Sequence, residues 1–327
     1  AADAFCEGIP FLDAREDQTE KLDELIADAS ATDIVPDFSM NRIIDESDLV
    51  KMLKLFQDPK DGNGWTRFGG PEDQFVGSLD FRYPSQAGAR LWAELENIPW
   101  EICTQILLDP PRRLEWDEGF SDYEVLRPWE ETSDHGLGGS LDLIYCACRS
   151  PLPWAVWDRD YVQWRFAARL PDQGAVVLLK STESHNKPPQ PETVRGDTYL
   201  GAYLVYSNGR GGSHIFLATR SDQKMSIPGF AATKVVEAGP PQWVARLRAY
   251  AQTQLPRLAE AKEFCAHLRF LESYDDNMEH LRLLCGVDHP EVAPEGPRPA
   301  RGIGPADLDR MLDLFEADRE GNGWSEF

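Results

Sequence analysis

The stretch RDYVQWRFAARL, residues 159–170, decides the fold. In an extended chain successive side chains point to opposite faces. Tyr161, Gln163 and Arg165 therefore share one face, and Val162, Trp164 and Phe166 share the other. More strand candidates surround it: SDYEVLRP and SLDLIYCACR before, AVVLLKSTES and TYLGAYLVYSN after, and SHIFLATRS behind the turn signal NGRGG. Upstream, GSLDFRYP and ARLWAELEN read as paired strands, and PWEICTQILLD reads as a helix with Pro99 in its first turn. ESDLVKMLKLF is an amphipathic helix with Ser47 as its expected N-cap. The last element, IPGFAATKVVEAGPPQWVARLRAYAQTQL, is helical in its second half, with Trp243, Leu247, Tyr250 and Ala251 on one face. This pattern predicts an α+β fold. One antiparallel sheet of about eight strands takes a helical insertion after its second or third strand. A long terminal helix lies on the concave face and leaves a ligand-sized gap beneath it.

The chain also repeats itself. DLVKMLKLFQDPKDGNGW (residues 48–65) returns as DLDRMLDLFEADREGNGW (residues 307–324), an offset of 307 − 48 = 259. At the same offset FCEGIPFLDAREDQTEKLDEL (residues 5–25) matches FCAHLRFLESYDDNMEHLRLL (residues 264–284). A period this long implies a repeated domain with its own core, since solenoid layers repeat every 20–50 residues or so. The expected organisation is the tail of a preceding repeat and an acidic linker over 1–46, then a ligand-binding domain over 47–258. A helical extension and Pro/Gly-rich linker over 259–305 follows, then the beginning of a further repeat over 306–327.

Composition narrows the functions. The formal net charge of −23 argues against nucleic acid, whose phosphates need a basic face, and against binding anionic membranes by charge alone. In the first fifty residues acids outnumber bases 14 to three, as in a solvated connector. Cysteines 6, 103, 146, 148, 265 and 285 show no C-x-x-C spacing, which reads as reduced thiols, a cytoplasmic setting and no metal site. DREGNG resembles half of a calcium loop, but the full copy places Pro59 and Gly70 where such a loop needs Asp and Glu. There is no G-x-S-x-G elbow, H-E-x-x-H or P-loop, so no enzyme activity and no cofactor are expected.

Four segments in order, LLDPPRRLEWDEGF, RSPLPWAVWDRDYVQWRF, KSTESHNKPPQPETVRGDTYLGAYLV and SNGRGGSHIFLATRSDQKMSIPGF, resemble the START family of lipid-transfer domains. The phosphatidylcholine transfer protein branch is the nearest pattern, and the resemblance runs from Trp65 to Leu258. It implies a helix-grip fold, a curved antiparallel sheet around a C-terminal helix, enclosing one lipid. The expected ligand is a phospholipid, carried between membranes or sensed, by a protein peripheral to membranes. An interaction scaffold of repeated START-like domains is the alternative. About 30 buried CH₂ groups at ~0.8 kcal/mol each give on the order of 24 kcal/mol, which only near-complete enclosure recovers.

The resemblance also names residues. Arg113, in R-x-x-W-D, falls where the phosphatidylcholine carrier pairs the phosphate, and Trp116 and Asp117 are expected to lock this helix to the sheet. Arg165 matches a cavity arginine of several START domains, which puts Tyr161 and Gln163 inside with it. The positions of the choline cage read Cys146, Gln163 and Tyr199, of which only the last is aromatic, so another phospholipid head, a sterol or a fatty acyl ligand stays open. The acid that partners the arginine in sterol binders is not seen around Cys146–Cys148. Trp154 and Trp157 sit in the loop expected to dock transiently on a membrane, with Pro228 and Gly229 as the lid hinge.

Overall fold

In the computed structural model, Asp45 opens the first helix, α1 (Glu46–Gln57). The structure describes residues 44–58, 60, 62, 64–70, 75–80, 88–132, 137–150, 157–171, 173–222, 224, 229–272 and 277–281. The expected tail of a preceding repeat up to residue 43, the expected further repeat over 306–327, Trp154 and Pro228 lie outside this set. The cap is Asp45, not Ser47. The Asp45 carboxylate accepts from Ser47 N–H at 2.9 Å, while Asp48 reaches back to Asp45 N–H at 3.1 Å. A carboxylate at this position closes a reciprocal capping box, and Ser47 is left as an ordinary first-turn residue. The helix buries Asp48, Leu49, Met52 and Leu53.

Ten strands form one sheet: β1 (Trp65–Gly70), β2 (Phe75–Asp80), β3 (Gly88–Leu95), β4 (Phe120–Thr132), β5 (Gly139–Cys148), β6 (Asp158–Leu170), β7 (Gly174–Ser181), β8 (Thr193–Arg195), β9 (Asp197–Ser207) and β10 (Ser213–Asp222). The order is β1-β2-β3-β10-β9-β7-β6-β5-β4, every neighbour antiparallel, with β8 pairing parallel to β6. β1 and β8 exceed the eight expected. One is glycine-ended and the other is three residues long, too short for a period-two signal.

Alternation on β6 runs as its sequence requires. Phe166, Ala168 and Leu170 join α1 on the outer face, with Leu178, Leu204 and Phe216 from neighbouring strands. Tyr161, Ala167 and, between them, Arg165 turn to the inner face. Gly139 permits this packing, since a Cβ there would lie 2.3 Å from the Phe166 ring.

Helices cover the inner face. α2 (Trp100–Leu108), with Pro99 at the N-cap position just before its first turn, and α3 (Pro110–Trp116) join β3 to β4. Ile102, Cys103, Ile106 and Leu107 of α2 pack with Val205 and Ile215 of the sheet. The long helix α4 (Gly229–Gln254) adds Leu247 and Ala251 to the same core and places Val244 on Leu91 and Ala93. A 3₁₀ turn (Leu255–Arg257) leads to α5 (Leu258–Ala266), whose Ala261 and Cys265 are buried against α2. Among the described residues no helix is long and apolar enough to cross a membrane.

Candidate functional site

The inner face carries a buried polar centre under the helices. Arg165 is 1% exposed and Asp142, directly opposite on β5, is 0% exposed. Arg165 Nε donates to Asp142 Oδ1 at 3.0 Å and Nη2 to Oδ2 at 2.5 Å. Its Nη1 donates to the Tyr123 hydroxyl at 2.8 Å and to the Leu108 carbonyl at 2.5 Å. The Trp129 ring lies over the guanidinium, 4.6 Å from its centroid. Burial raises the Asp142 carboxyl even with Arg165 beside it, and burial also raises the Tyr123 hydroxyl. The guanidinium remains protonated, so the pair is an ion pair with four of its five N–H groups engaged. No acid was expected near Cys146–Cys148; the acid that pairs with Arg165 is Asp142, four residues before Cys146 on the same face of β5.

Tyr123, Cys146 and Tyr161 stand side by side on three adjacent strands. They share one cluster with Leu108, Leu179 and the partly buried Cys148 and Tyr203. Tyr161 fits because Gly196 has no side chain, where a Cβ would lie 2.5 Å from its ring. Gln163 is spoken for within the protein: its Nε2 donates to Thr198 Oγ1 at 2.7 Å, and the Ser221 hydroxyl joins Thr198 at 3.2 Å. Tyr199 lies half-buried at the bulge between Thr198 and Leu200, outside the cluster. The tyrosine of β9 that reaches this centre is Tyr203, whose hydroxyl is raised by burial against the opposing influence of Arg113.

Arg113 is buried too, in a second ion pair. Its Nε and Nη2 lie 2.9 and 2.8 Å from Asp117 Oδ2. Burial disfavours its charge, but Asp117 and the neighbouring tyrosines hold the guanidinium above its ordinary value. Trp116, Phe120 and Trp243 surround it with ring faces. Asp117 also accepts from Trp243 Nε1 at 2.9 Å, and Trp116 Nε1 donates to the Ile106 carbonyl at 3.1 Å. The R-x-x-W-D motif therefore ties α3 to helices α4 and α2.

A pocket of about 480 Å³, within the usual range for small-ligand sites, shares Trp129 with the Arg165 centre. Trp129, Phe264 and Leu268 give it apolar walls, and Glu130, Ser140, His267 and Arg269 line the rest. At the other end of β6, Asp160 is held by Arg195 of β8 at 2.9 Å and Arg159 donates to the Trp157 carbonyl. The Trp157 side chain is 63% exposed. Gly229 is the first residue of α4. The helix runs from Gly229, well before the expected second half, and Pro240 and Pro241 interrupt its backbone ladder. The described cysteines 103, 146, 148 and 265 are free thiols.

The START domain model matches residues 59–256. The fold is similar to that of human STARD10, with a TM-score of 0.56 and 16% identity over 68% of this chain and 85% of that one. It is also similar to human StAR-related lipid transfer protein 5, with a TM-score of 0.50 and 18% identity over 65% of this chain and 95% of that one. No curated protein matches the chain. With the family model spanning well over half of its length, the chain belongs to the START domain family.

Proposed function

We propose that the chain binds one lipid between the sheet and its inner-face helices, and that the lipid's buried polar group is uncharged. The observation that carries this reading is the Arg165–Asp142 pair. Arg165 is already neutralised, inside a buried centre that also holds the Tyr123 hydroxyl. A hydroxyl or carbonyl can exchange hydrogen bonds with such a centre and leave its charge balanced. A phosphate would bring net negative charge into low dielectric, which is costly without a free cation. Arg113 is likewise matched by Asp117. The sterol alternative, for which the acid partner was wanting, gains that partner in Asp142, and the phospholipid expectation loses ground.

The role is one of binding. Burial pushes the Cys103 and Cys265 thiols up to about 12, so neither is a ready nucleophile at neutral pH. Exposed Trp157 supports transient docking through the β5–β6 loop by apolar insertion, the mode suited to a net charge of −23. Carriage between membranes or sensing of the bound lipid is the role we read for such a chain, supported by its family and by exposed Trp157.

The test is uptake from mixed vesicles containing a phosphatidylcholine, a sterol and a diacylglycerol. The full chain is re-isolated and its lipid identified by mass spectrometry. One neutral lipid per chain supports the proposal. One phospholipid per chain refutes the uncharged head, and no lipid at all favours the scaffold of repeated domains.

A further inference from the structure

The inner face continues past the Arg165–Asp142 pair. On β5, Ile144 and Cys146 join the inner cluster with Tyr123, while Leu143, Tyr145 and Ala147 pack together on the other face. Period two therefore puts Ser140 inside as well, one step beyond Asp142 and opposite Ala167 of β6. Arg165 bridges the inner space at the Asp142 step. It leaves β6, binds Asp142 of β5 and Tyr123 of β4, and reaches the Leu108 carbonyl at the end of α2. The Trp129 ring covers its guanidinium. This layer divides the inner face. Cys146 and Tyr161 lie toward the β5–β6 loop, and Ser140 lies beyond the layer with the pocket of about 480 Å³.

The roof of that pocket is built from Phe264 to Arg269, beyond the residues 59–256 that the family model matches. Main-chain bonds fix it to the sheet. Arg169 N–H donates to the Arg269 carbonyl at 2.7 Å, and Leu271 N–H donates to the Arg169 carbonyl at 2.9 Å. Arg269 N–H also donates to Ser140 Oγ at 3.3 Å. That bond takes a lone pair of the hydroxyl and leaves its hydrogen unused. Among the described residues the Ser140 O–H has no acceptor, although Ser140 is 5% exposed and lines the pocket. A buried donor with nothing to donate to is costly, so an oxygen placed in the pocket would be held there. The walls beside it are the Trp129 and Phe264 rings and Leu268. Glu130 and Arg269 bring opposite charges to the lining, and Glu130 already accepts from Arg127 at 2.9 Å.

We propose that this pocket is a second binding site, separate from the lipid, for a flat, uncharged aromatic molecule that presents an oxygen acceptor to Ser140. Two aromatic walls favour a flat ring, which meets them in stacked or edge-on contact. A lining that carries both signs of charge gives no preference for an ion. The Arg165 layer keeps the site apart from the Tyr161 side, so the proposal stands whichever lipid is bound there. Trp129 belongs to both regions, and a molecule seated here rests against the same ring that covers Arg165.

Titration of the full chain with 1-naphthol tests this. The probe is flat, uncharged at neutral pH and carries one oxygen, and calorimetry reads its binding. One molecule per chain is expected. Ser140→Ala removes the donor and is expected to weaken binding about 3- to 10-fold. A second reading needs no change at Ser140. His267 lines the pocket and is exposed. In His267→Cys the introduced thiol is reacted with N-ethylmaleimide and followed by peptide mass spectrometry. Its labelling is expected to slow about tenfold with the probe at ~10 times its Kd, since only the empty fraction reacts. Chain loaded with lipid from vesicles is expected to bind the probe equally well. No binding, labelling indifferent to the probe, an affinity unchanged in folded Ser140→Ala, or displacement of the probe by lipid each overturns the proposal. If Ser140→Ala does not fold, the labelling decides. If the chain takes up no lipid, the reading of the lipid site fails while the first two measurements still judge this one.

Discussion

Lys180 of β7 and Asp48 of α1 meet at 2.6 Å inside the outer-face core, with both side chains nearly fully buried. Asp48 thus serves twice, closing the capping box and neutralising a lysine under the helix. Asp48→Ala is expected to destabilise the domain by about 3–5 kcal/mol, because it leaves a buried ammonium without this carboxylate. The double variant Asp48→Leu with Lys180→Met is expected to recover most of that loss. Urea unfolding midpoints check both, and an exposed-pair cost below ~1 kcal/mol for Asp48→Ala would show that the contact is solvent-screened.

This pair also shows what the sequence discloses and what it hides. The apolar stripe of α1 and the alternation of β6 were legible, because each is a local period. Tyr161 and Arg165 could be assigned to one face on that basis. Their partners could not, since Asp142 and Tyr123 become neighbours through strand register. A period-two reading of β5 does put Asp142 on the face of Cys146 and Cys148, so that signal was present and unused. Tyr199 came from the resemblance alone, and the bulge beside it, which sequence does not show, turns it away from the centre that Tyr203 reaches.

Arg165→Met separates architecture from ligand binding. Alone it strands the Asp142 carboxylate in the core, at an expected cost of about 3–5 kcal/mol. Adding Asp142→Leu removes the second charge and is expected to restore stability, since a buried pair replaced by apolar groups is often neutral. Lipid uptake should stay lost in the double variant. If uptake returns together with the melting temperature, the pair is architectural and the polar group of the ligand is bound elsewhere.

His214 gives a defined pH response. It lies opposite Tyr206 across β10 and β9, with ring centroids 5.1 Å apart. Burial lowers its pKa from the usual 6.5, and Glu94 only partly opposes this. Below pH 6.5 the unfolded chain therefore takes up a proton at this site that the folded chain resists. Stability contributed here is complete above pH 6.5 and declines as pH falls from there toward the folded value. His214→Gln is expected to flatten the fall in unfolding free energy between about pH 7 and 5. An unchanged slope in that window would remove His214 as its source.

Pro240 and Pro241 offer the last prediction. Neither has an N–H, so the carbonyls of residues 236 and 237 lack their helical donors. On the C-terminal side α4 is firmly held: Trp243 bonds Asp117, Val244 and Leu247 are buried, and Gln254 accepts from Arg112 at 2.6 Å. The weakened ladder at Pro240 and Pro241 is therefore the expected place for α4 to bend. Pro240→Ala with Pro241→Ala restores both donors and stiffens the lid. Lipid uptake from vesicles should slow several-fold while the amount bound at equilibrium stays the same, if bending of α4 limits entry and the residues that hold the lipid are unaltered. Stopped-flow uptake of a fluorescent lipid reads the rate directly. An unchanged rate would move the opening to another element, with the β5–β6 loop bearing Trp157 next to examine.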